Sequence, residues 1–226
     1  MKLDFKTNLY SNAHYSIIEK IVIKKREEMI TIIKKNLSLK QIHSVTDIGT
    51  TQDDQHISSN YIVKNLGNFK EYKSISNQKI KSNFFSKCIQ KSITDNFTKN
   101  EITNFKSDLV ISNATIEHVG KFKKQIKMCE NIIKLSSKYF VICTPNKYHP
   151  LEFHTKIPFL HFLPKKIYKK ILKKIGLEFF SKEKNLNLLS KKKLINIMEK
   201  LKQPNYKIKS INLFFFKSNL ILIGCK

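Results

Sequence analysis

Apolar and polar positions along this chain repeat with two periods, one helical and one extended. Between residues 14 and 37, Ile18, Ile21, Val22, Met29, Ile32, Ile33 and Leu37 recur at helical spacing with charges between them, which predicts an amphipathic helix leading into the core. The run Ser44-Val45-Thr46-Asp47-Ile48, closed by Gly49, reads as a buried first strand. A polar loop over 50–60 and a short helix over Tyr61–Leu66, stopped by Gly67, follow. Strands are expected at Glu71–Ser76, at Phe85–Gln90 and, most strongly, at 107–112. A helix over 121–135 carries Phe122, Ile126, Cys129, Ile132 and Ile133 on one face, and Tyr139–Cys143 is an apolar strand stopped by Thr144-Pro145-Asn146. Residues 147–163 hold two prolines and three histidines with no period and read as an ordered insertion loop. Lys165–Lys174 is a strongly basic helix ending at Gly176, and Ser190 is placed to cap a helix over 191–202. Two last strands, about 206–214 and 219–225, are expected to pair as a hairpin around Lys217-Ser218.

Strands alternating with helices imply an α/β fold with a mostly parallel sheet covered on both faces, here closed by an antiparallel strand pair. In such a sheet, ligands bind beyond the carboxyl ends of the strands. The segments that matter are therefore Asp47 to Thr51, Ser76 to Gln78, Gln90 to Asp95, Asn113 to His118, and Thr144 to His154. After the first strand, Gly49 lets the backbone turn sharply, and Asp47 there can bind a ligand's ammonium or fix the loop.

Composition narrows the partners. The formal charge is +26, yet of 43 basic residues Arg26 alone is an arginine. Specific phosphate and base readers favour the bidentate arginine fork, so dispersed lysine reads mainly as solvated surface, with 165–174 as the site of any real anionic partner. Cys88, Cys129, Cys143 and Cys225 form no CxxC pair and read as buried thiols in a reducing compartment. The histidines do not fall at a helical HxxxH spacing and no cysteine joins them, so no metal site is expected. The segment MKLDFKTNLYSNAHYS has no apolar core of a signal peptide and no stretch reaches eighteen apolar residues, so the expected location is cytoplasmic.

The segment from Ser107 to Val119, SDLVISNATIEHV, resembles the class I S-adenosylmethionine-dependent methyltransferase pattern, in which the fourth strand runs into a loop reading roughly FDLVxxxxxxEHV. Thr144-Pro145-Asn146-Lys147-Tyr148-His149-Pro150-Leu151-Glu152-Phe153-His154-Thr155 and Leu160-His161-Phe162-Leu163-Pro164 look like one bacterial subgroup carrying TPNRWxPxEFHT…PxLHWLP after the fifth strand. Gly176 to Phe180, Asn185 to Leu189 and Ser59-Asn60-Tyr61 look like that subgroup too, so the resemblance spans roughly residues 44–225. It implies one methyltransferase domain over 1–226, with a helical segment over 1–40, an insertion or lid over 147–190, and a Rossmann-like seven-stranded sheet. It also implies S-adenosyl-L-methionine as cofactor. Asp47, Gly49 and Thr50 would line its amino-acid tail and sulfonium. Asn77 and Ser92 stand where the family places the acids that hold the ribose and adenine, Asn113 and Ala114 would pass beside the methyl donor, and Glu117, a further cofactor contact, and His118 would begin the next helix facing the pocket. Asn77 can accept from one hydroxyl but lacks the charge-assisted bond, a loss of about 1.5–3 kcal/mol. His118, Glu152 and His154 are the expected catalytic acid–base groups, and Asn146, Tyr148 and His161 the expected acceptor contacts.

The function expected is methylation of a small molecule, lipid or glycoconjugate. An RNA methyltransferase, suggested by charge, and a non-catalytic module that keeps the fold, suggested by the missing acids, are the alternatives. Phe153, Ile157, Phe159, Leu160, Phe162 and Leu163, followed by the basic helix, form either a hydrophobic lid or a contact with an anionic membrane.

Overall fold

A computed structural model describes residues 17–52 and 57–226. The expected helix start at 14–16 and part of the 50–60 loop lie outside the described residues. The first helix among the described residues, α1 (Ile17–Asn36), places Glu19 in its first turn and Lys34 and Lys35 in its last, the order a helix dipole favours. It buries Met29, Ile30 and Ile33, with Leu37 just beyond its end.

The strands are β1 (Ser44–Ile48), β2 (Glu71–Ser76), β3 (Lys87–Gln90), β4 (Ser107–Asn113), β5 (Ser136–Pro145), β6 (Tyr206–Leu213) and β7 (Phe216–Cys225). They form one sheet in the order β3-β2-β1-β4-β5-β7-β6, so β3 and β6 are its edges. β1 to β5 are parallel, and β7 runs antiparallel to both β5 and β6. The strand order reverses between β1 and β4, where a doubly wound sheet opens its ligand crevice. This is the Rossmann-like seven-stranded arrangement with the expected terminal antiparallel pair.

Successive residues of each strand serve opposite faces. Val45, Leu109, Ile111, Val141 and Ile221 pack against α1 and α2 (Tyr61–Asn65) through Ile33, Ile62 and Val63. Ile48, Ile75, Val110, Phe140, Ile142 and Leu222 pack against α4 (Phe122–Leu135) and α7 (Lys191–Lys200) through Met128, Ile132, Leu194 and Met198. Because both faces are covered, the central strands read as near-continuous apolar runs. α3 (Lys99–Phe105), α5 (Lys165–Lys174) and α6 (Glu178–Ser181) are the remaining α-helices among the described residues. The expected cap is formed: the Ser190 hydroxyl accepts from the Lys193 amide at 3.3 Å.

The structure departs from the sequence reading at α3, β5 and the hairpin tip, and β3 begins at Lys87 rather than Phe85. α3 has no apolar stripe to announce it and buries Phe105 alone; its start is set by a capping box. The Thr98 hydroxyl accepts from the Glu101 amide at 3.2 Å, and the Glu101 carboxylate accepts from the Thr98 amide at 2.7 Å. β5 begins at Ser136, directly after α4, rather than at Tyr139. The hairpin turns at Phe214-Phe215, not at Lys217-Ser218, since Leu213 pairs with Phe216 and Asn212 with Lys217. Phe214 takes the left-handed conformation at φ 54, and Ser218 is buried in the ladder, donating to the Ile211 carbonyl at 3.4 Å.

Gly224 faces Phe140 across the β5–β7 pair. A β-carbon there would lie 2.0 Å from Phe140 Cζ, and Phe140 is fully buried. Gly224→Ala is expected to cost about 1–3 kcal/mol through overpacking, read as a lower urea midpoint at unchanged m-value. A midpoint equal to that of the parent would mean the ring moves aside freely.

Candidate functional site

The carboxyl ends of β1, β2 and β4 open onto two joined cavities. The larger, about 1010 Å³, is lined by Gly49, Thr50, Ser76, Asn77, Ser92, Ala114 and His118. The smaller, about 510 Å³, is lined by Asp47, Gly49, Asn60, Asn113 and Ala114. They meet at Gly49, Thr51, Gln78 and Ala114. The loop after β1 therefore separates two lobes of one crevice at the place where the strand order reverses.

That loop is held by hydroxyls. Ser74 Oγ donates to Thr50 Oγ1 at 2.8 Å, Thr50 Oγ1 donates to Asp47 Oδ2 at 2.7 Å, and Ser76 Oγ donates to the Thr50 carbonyl at 2.8 Å. Burial pushes the Asp47 carboxyl up to about 6, against the Thr50 hydrogen bond. A buried anion on a cavity wall is costly unless a cation meets it. Gly49 has φ +81, and its amide donates to the Ile75 carbonyl at 2.9 Å. A β-carbon on Gly49 would fall 2.1 Å from Thr115 Oγ1, which itself bonds the Ile48 carbonyl at 3.2 Å. Glycine is thus required both by the turn and by the side chain of Thr115 pressed against it.

On the other side of the crevice, Asn77 follows β2 and Ser92 follows β3. Ser92 shares a hydrogen bond with the Thr94 hydroxyl at 2.9 Å and accepts from the Thr94 amide at 3.2 Å. Ala114 is left-handed at φ 52, with its amide donating to the Cys143 carbonyl at 2.9 Å. A non-glycine residue in that conformation at a ligand crevice is local strain held by its surroundings.

Beneath Ala114 lies a cluster of carboxylates and imidazoles. Glu117 and His118 belong to a single 3₁₀ turn, Ile116–His118, after β4. The insertion folds back to bring His154 against them, with the two imidazole centroids 4.7 Å apart, edge to face. Glu117 is fully buried and lines neither lobe; its Oε2 accepts from Thr144 Oγ1 at 2.9 Å, and its Oε1 has no hydrogen-bond partner. That oxygen faces His118 Nε2 at 4.0 Å and His154 Nε2 at 3.9 Å. The Nδ1 of His118 donates to the Asn185 carbonyl at 2.6 Å, and the Nδ1 of His154 donates to Glu152 Oε1 at 2.7 Å. Burial opposes charge on Glu152, but the His154 ring and the amides of His154 and Thr155 outweigh it and hold the carboxyl down to about 2. Burial likewise opposes the His154 imidazolium, and the Glu152 hydrogen bond with the charges of Glu117 and Glu152 overcomes it, raising the ring above its usual value.

The structure does not bring the expected acceptor contacts into either lobe. Asn146 Nδ2 donates to the Lys217 carbonyl at 2.9 Å, and its Oδ1 accepts from the Tyr148 amide at 3.2 Å. His161 Nε2 bonds the Lys147 carbonyl at 2.9 Å and so fastens the insertion to its own start. Tyr148 is exposed. The sequence reading missed Thr144 and Asn185 as the groups that orient the cluster, although both sit in segments carrying the family resemblance. It also missed the lysines on the larger lobe, among them Lys121, Lys123, Lys124 and Lys184.

Neither a protein-family model nor a curated protein matches the chain. Solved structures do. A plantazolicin methyltransferase in complex with S-adenosylhomocysteine is similar at TM-score 0.58 and 14% identity, over 92% of this chain and 85% of that one. Magnesium protoporphyrin IX methyltransferase from Synechocystis PCC 6803, also with S-adenosylhomocysteine bound, is similar at TM-score 0.57 and 11% identity, over 96% and 91%. A S-adenosylmethionine-dependent methyltransferase from Archaeoglobus fulgidus is similar at TM-score 0.51 and 14% identity, over 93% and 100%. The fold is that of class I methyltransferases.

Proposed function

We propose that this chain is a S-adenosylmethionine-dependent methyltransferase acting on a small, anionic molecule or glycoconjugate. The observation that carries the reading is the buried Asp47 carboxylate beside the Gly49 turn, an anion in want of a cation, on the wall of a crevice at the reversal of strand order. Structures of the same fold hold S-adenosylmethionine or its demethylated product, which supports the choice of cation.

The residues present fit that cofactor. Asp47 and Asn113 would receive the amino-acid tail in the smaller lobe, Gly49 and Thr50 the turn between lobes, and Asn77 and Ser92 the ribose and adenine in the larger lobe. Bound there, S-adenosylmethionine supplies an electrophilic methyl group on a sulfonium, open to in-line attack. Ala114, common to both lobes, marks the place where the donor and the acceptor meet. Holding the two reactants in line supplies much of the acceleration. His118 borders the larger lobe, so the Glu117–His118–His154 cluster is where the acceptor atom is activated, with Glu152 orienting His154. Lys121, Lys123, Lys124 and Lys184 surround the same lobe and favour a phosphate- or carboxylate-bearing acceptor.

Titration calorimetry of the protein with S-adenosylmethionine and S-adenosylhomocysteine is expected to give saturable binding to one site. Heat absent at millimolar cofactor would remove the methyltransferase reading and leave a binding module with the same fold. Salt-dependent, tight binding of single-stranded RNA would move the acceptor to nucleic acid.

A second observation favours contact with an anionic bilayer. Phe159, Phe162, Leu163, Ile167, Ile175 and Phe179 are exposed along the insertion and the helices α5 and α6, and α5 carries six lysines. No helix among the described residues is long and apolar enough to cross a membrane. Apolar side chains that enter an interface contribute about 1.5–3 kcal/mol each at full burial, and each lysine about 1 kcal/mol near anionic lipid. The protein is expected to sediment with phosphatidylserine vesicles and not with neutral ones, and Phe159→Ser with Phe162→Ser to lower that binding at least about tenfold. Equal recovery with both vesicle types would assign the apolar face to a lid.

A further inference from the structure

We propose that Glu117, His118 and His154 bind a divalent transition-metal ion whose open coordination positions face the larger lobe, where the ion would ligate the oxygen of the methyl acceptor. The three side chains come from two distant segments, yet one donor atom from each lies within 4.8 Å of the others. Glu117 Oε1 is fully buried, has no hydrogen-bond partner and is aimed at both Nε2 atoms.

The tautomers are set by what lies behind each ring. A backbone carbonyl can only accept, so His118 carries its proton on Nδ1 toward Asn185, and Glu152 draws the proton of His154 to Nδ1 in the same way. In each neutral ring, Nε2 then presents its lone pair. Two lone pairs and a carboxylate oxygen facing one another repel unless a proton on His154 or a metal cation joins them, and the metal is the one that engages all three donors at once. An outer carboxylate or carbonyl behind a histidine is also the arrangement that orients metal-ligating imidazoles. Thr144 performs that task for Glu117 by bonding its other oxygen.

The donor set decides the class of ion. Two imidazoles and one carboxylate suit zinc, iron(II), manganese or cobalt, and disfavour magnesium and calcium, which want oxygen ligands. Donors around a tetrahedral ion at about 2.0–2.1 Å stand roughly 3.4 Å apart, so the trio must contract by roughly 0.5–1.4 Å, within the reach of small side-chain rotations. Three protein ligands leave at least one position for substrate. His118 lines the larger lobe, so that position opens toward it. An ion there would acidify a bound hydroxyl and so favour an oxygen acceptor. This last step rests on the methyltransferase reading; binding of the ion does not.

Untagged protein, stripped with chelator, is titrated with Zn²⁺ and with Co²⁺, and S-adenosylhomocysteine binding is measured in parallel on the same samples. One ion per chain is expected, with a rise in melting temperature and visible Co²⁺ absorption, and no competition from millimolar Mg²⁺. His154→Ala and the more exposed His118→Ala are each expected to lose about a hundredfold or more in affinity. Glu152→Gln, which keeps the ligands and weakens the group behind one of them, is expected to lose about 10–100-fold. Ion binding that is absent, or equal in the His118→Ala and parent proteins, would overturn the site and assign the cluster to a shared proton. Cofactor binding without ion binding removes this inference alone; ion binding without cofactor binding leaves the site standing and removes the methyltransferase reading.

Discussion

Asp47→Asn is expected to weaken S-adenosylmethionine binding by about tenfold to a hundredfold at pH 8, the worth of a hydrogen bond to a charged partner. The substitution keeps the shape of the side chain and an oxygen for Thr50 to bond, so the fold is expected to survive. The pH dependence is the sharper test. Burial pushes the Asp47 carboxyl up to about 6, so above that pH the anion is ready and affinity is flat. Below it, a proton must leave before the ammonium can pair, and affinity is expected to fall about tenfold per pH unit. Stability without cofactor runs the opposite way. The folded chain holds this proton more tightly than the unfolded one, whose value is near 3.8, so Asp47 contributes stability below 3.8 that is lost as the pH rises to about 6. The Asn variant is expected to lack both dependences. Calorimetry across pH 5–8 with parent and variant reads the first, and urea midpoints read the second. An affinity that is the same in both proteins at every pH would place the cofactor's tail elsewhere.

Gly49→Ala is expected to be the most destabilising single methyl in the crevice, at about 2–4 kcal/mol. Positive φ accounts for about 1 kcal/mol of that and the collision with Thr115 for about 1–3 kcal/mol. The two parts separate in a double substitution. Thr115→Gly removes every atom that the new β-carbon would meet at 2.1 to 2.8 Å, so Gly49→Ala should cost less in that background, leaving mainly the φ part. Chemical denaturation of the four proteins measures the coupling. Equal costs in both backgrounds would mean that the loop shifts away from Thr115 by itself. The same argument makes Gly49 a poor single probe of cofactor binding, because a variant there changes the loop before any ligand arrives.

Positions set by topology were the easiest to read in advance. Asp47 is the penultimate residue of β1, Gly49, Asn77, Ser92 and Ala114 follow the ends of parallel strands, and the central strands were plain because burial on both faces makes them largely apolar. α3 escaped a reading by periodicity because a seven-residue helix with one buried side chain has no period to detect; its capping box, Thr98 and Glu101, was the available sign. The hairpin tip was misplaced because three consecutive phenylalanines read as strand, while turn residues were sought among polar ones. Asn146 and His161 stood in a motif rich enough to look functional, and the structure uses them to fasten the insertion. The convergence of Glu117, His118 and His154 had no counterpart in spacing, since 36 residues separate the two histidines and the path of the insertion alone closes the gap.

The two edges of the sheet give the lysine excess another consequence. β3 is four residues long and begins with Lys87, and β6 sets the exposed Lys207 and Lys209 among its apolar positions. An unpaired strand edge is a template for a second chain, and charge on it is the common guard against such growth. Lysines placed there keep neighbouring molecules from adding strand to strand. A protein this rich in isoleucine and phenylalanine thus carries its own defence against aggregation, and that defence weakens as salt screens it.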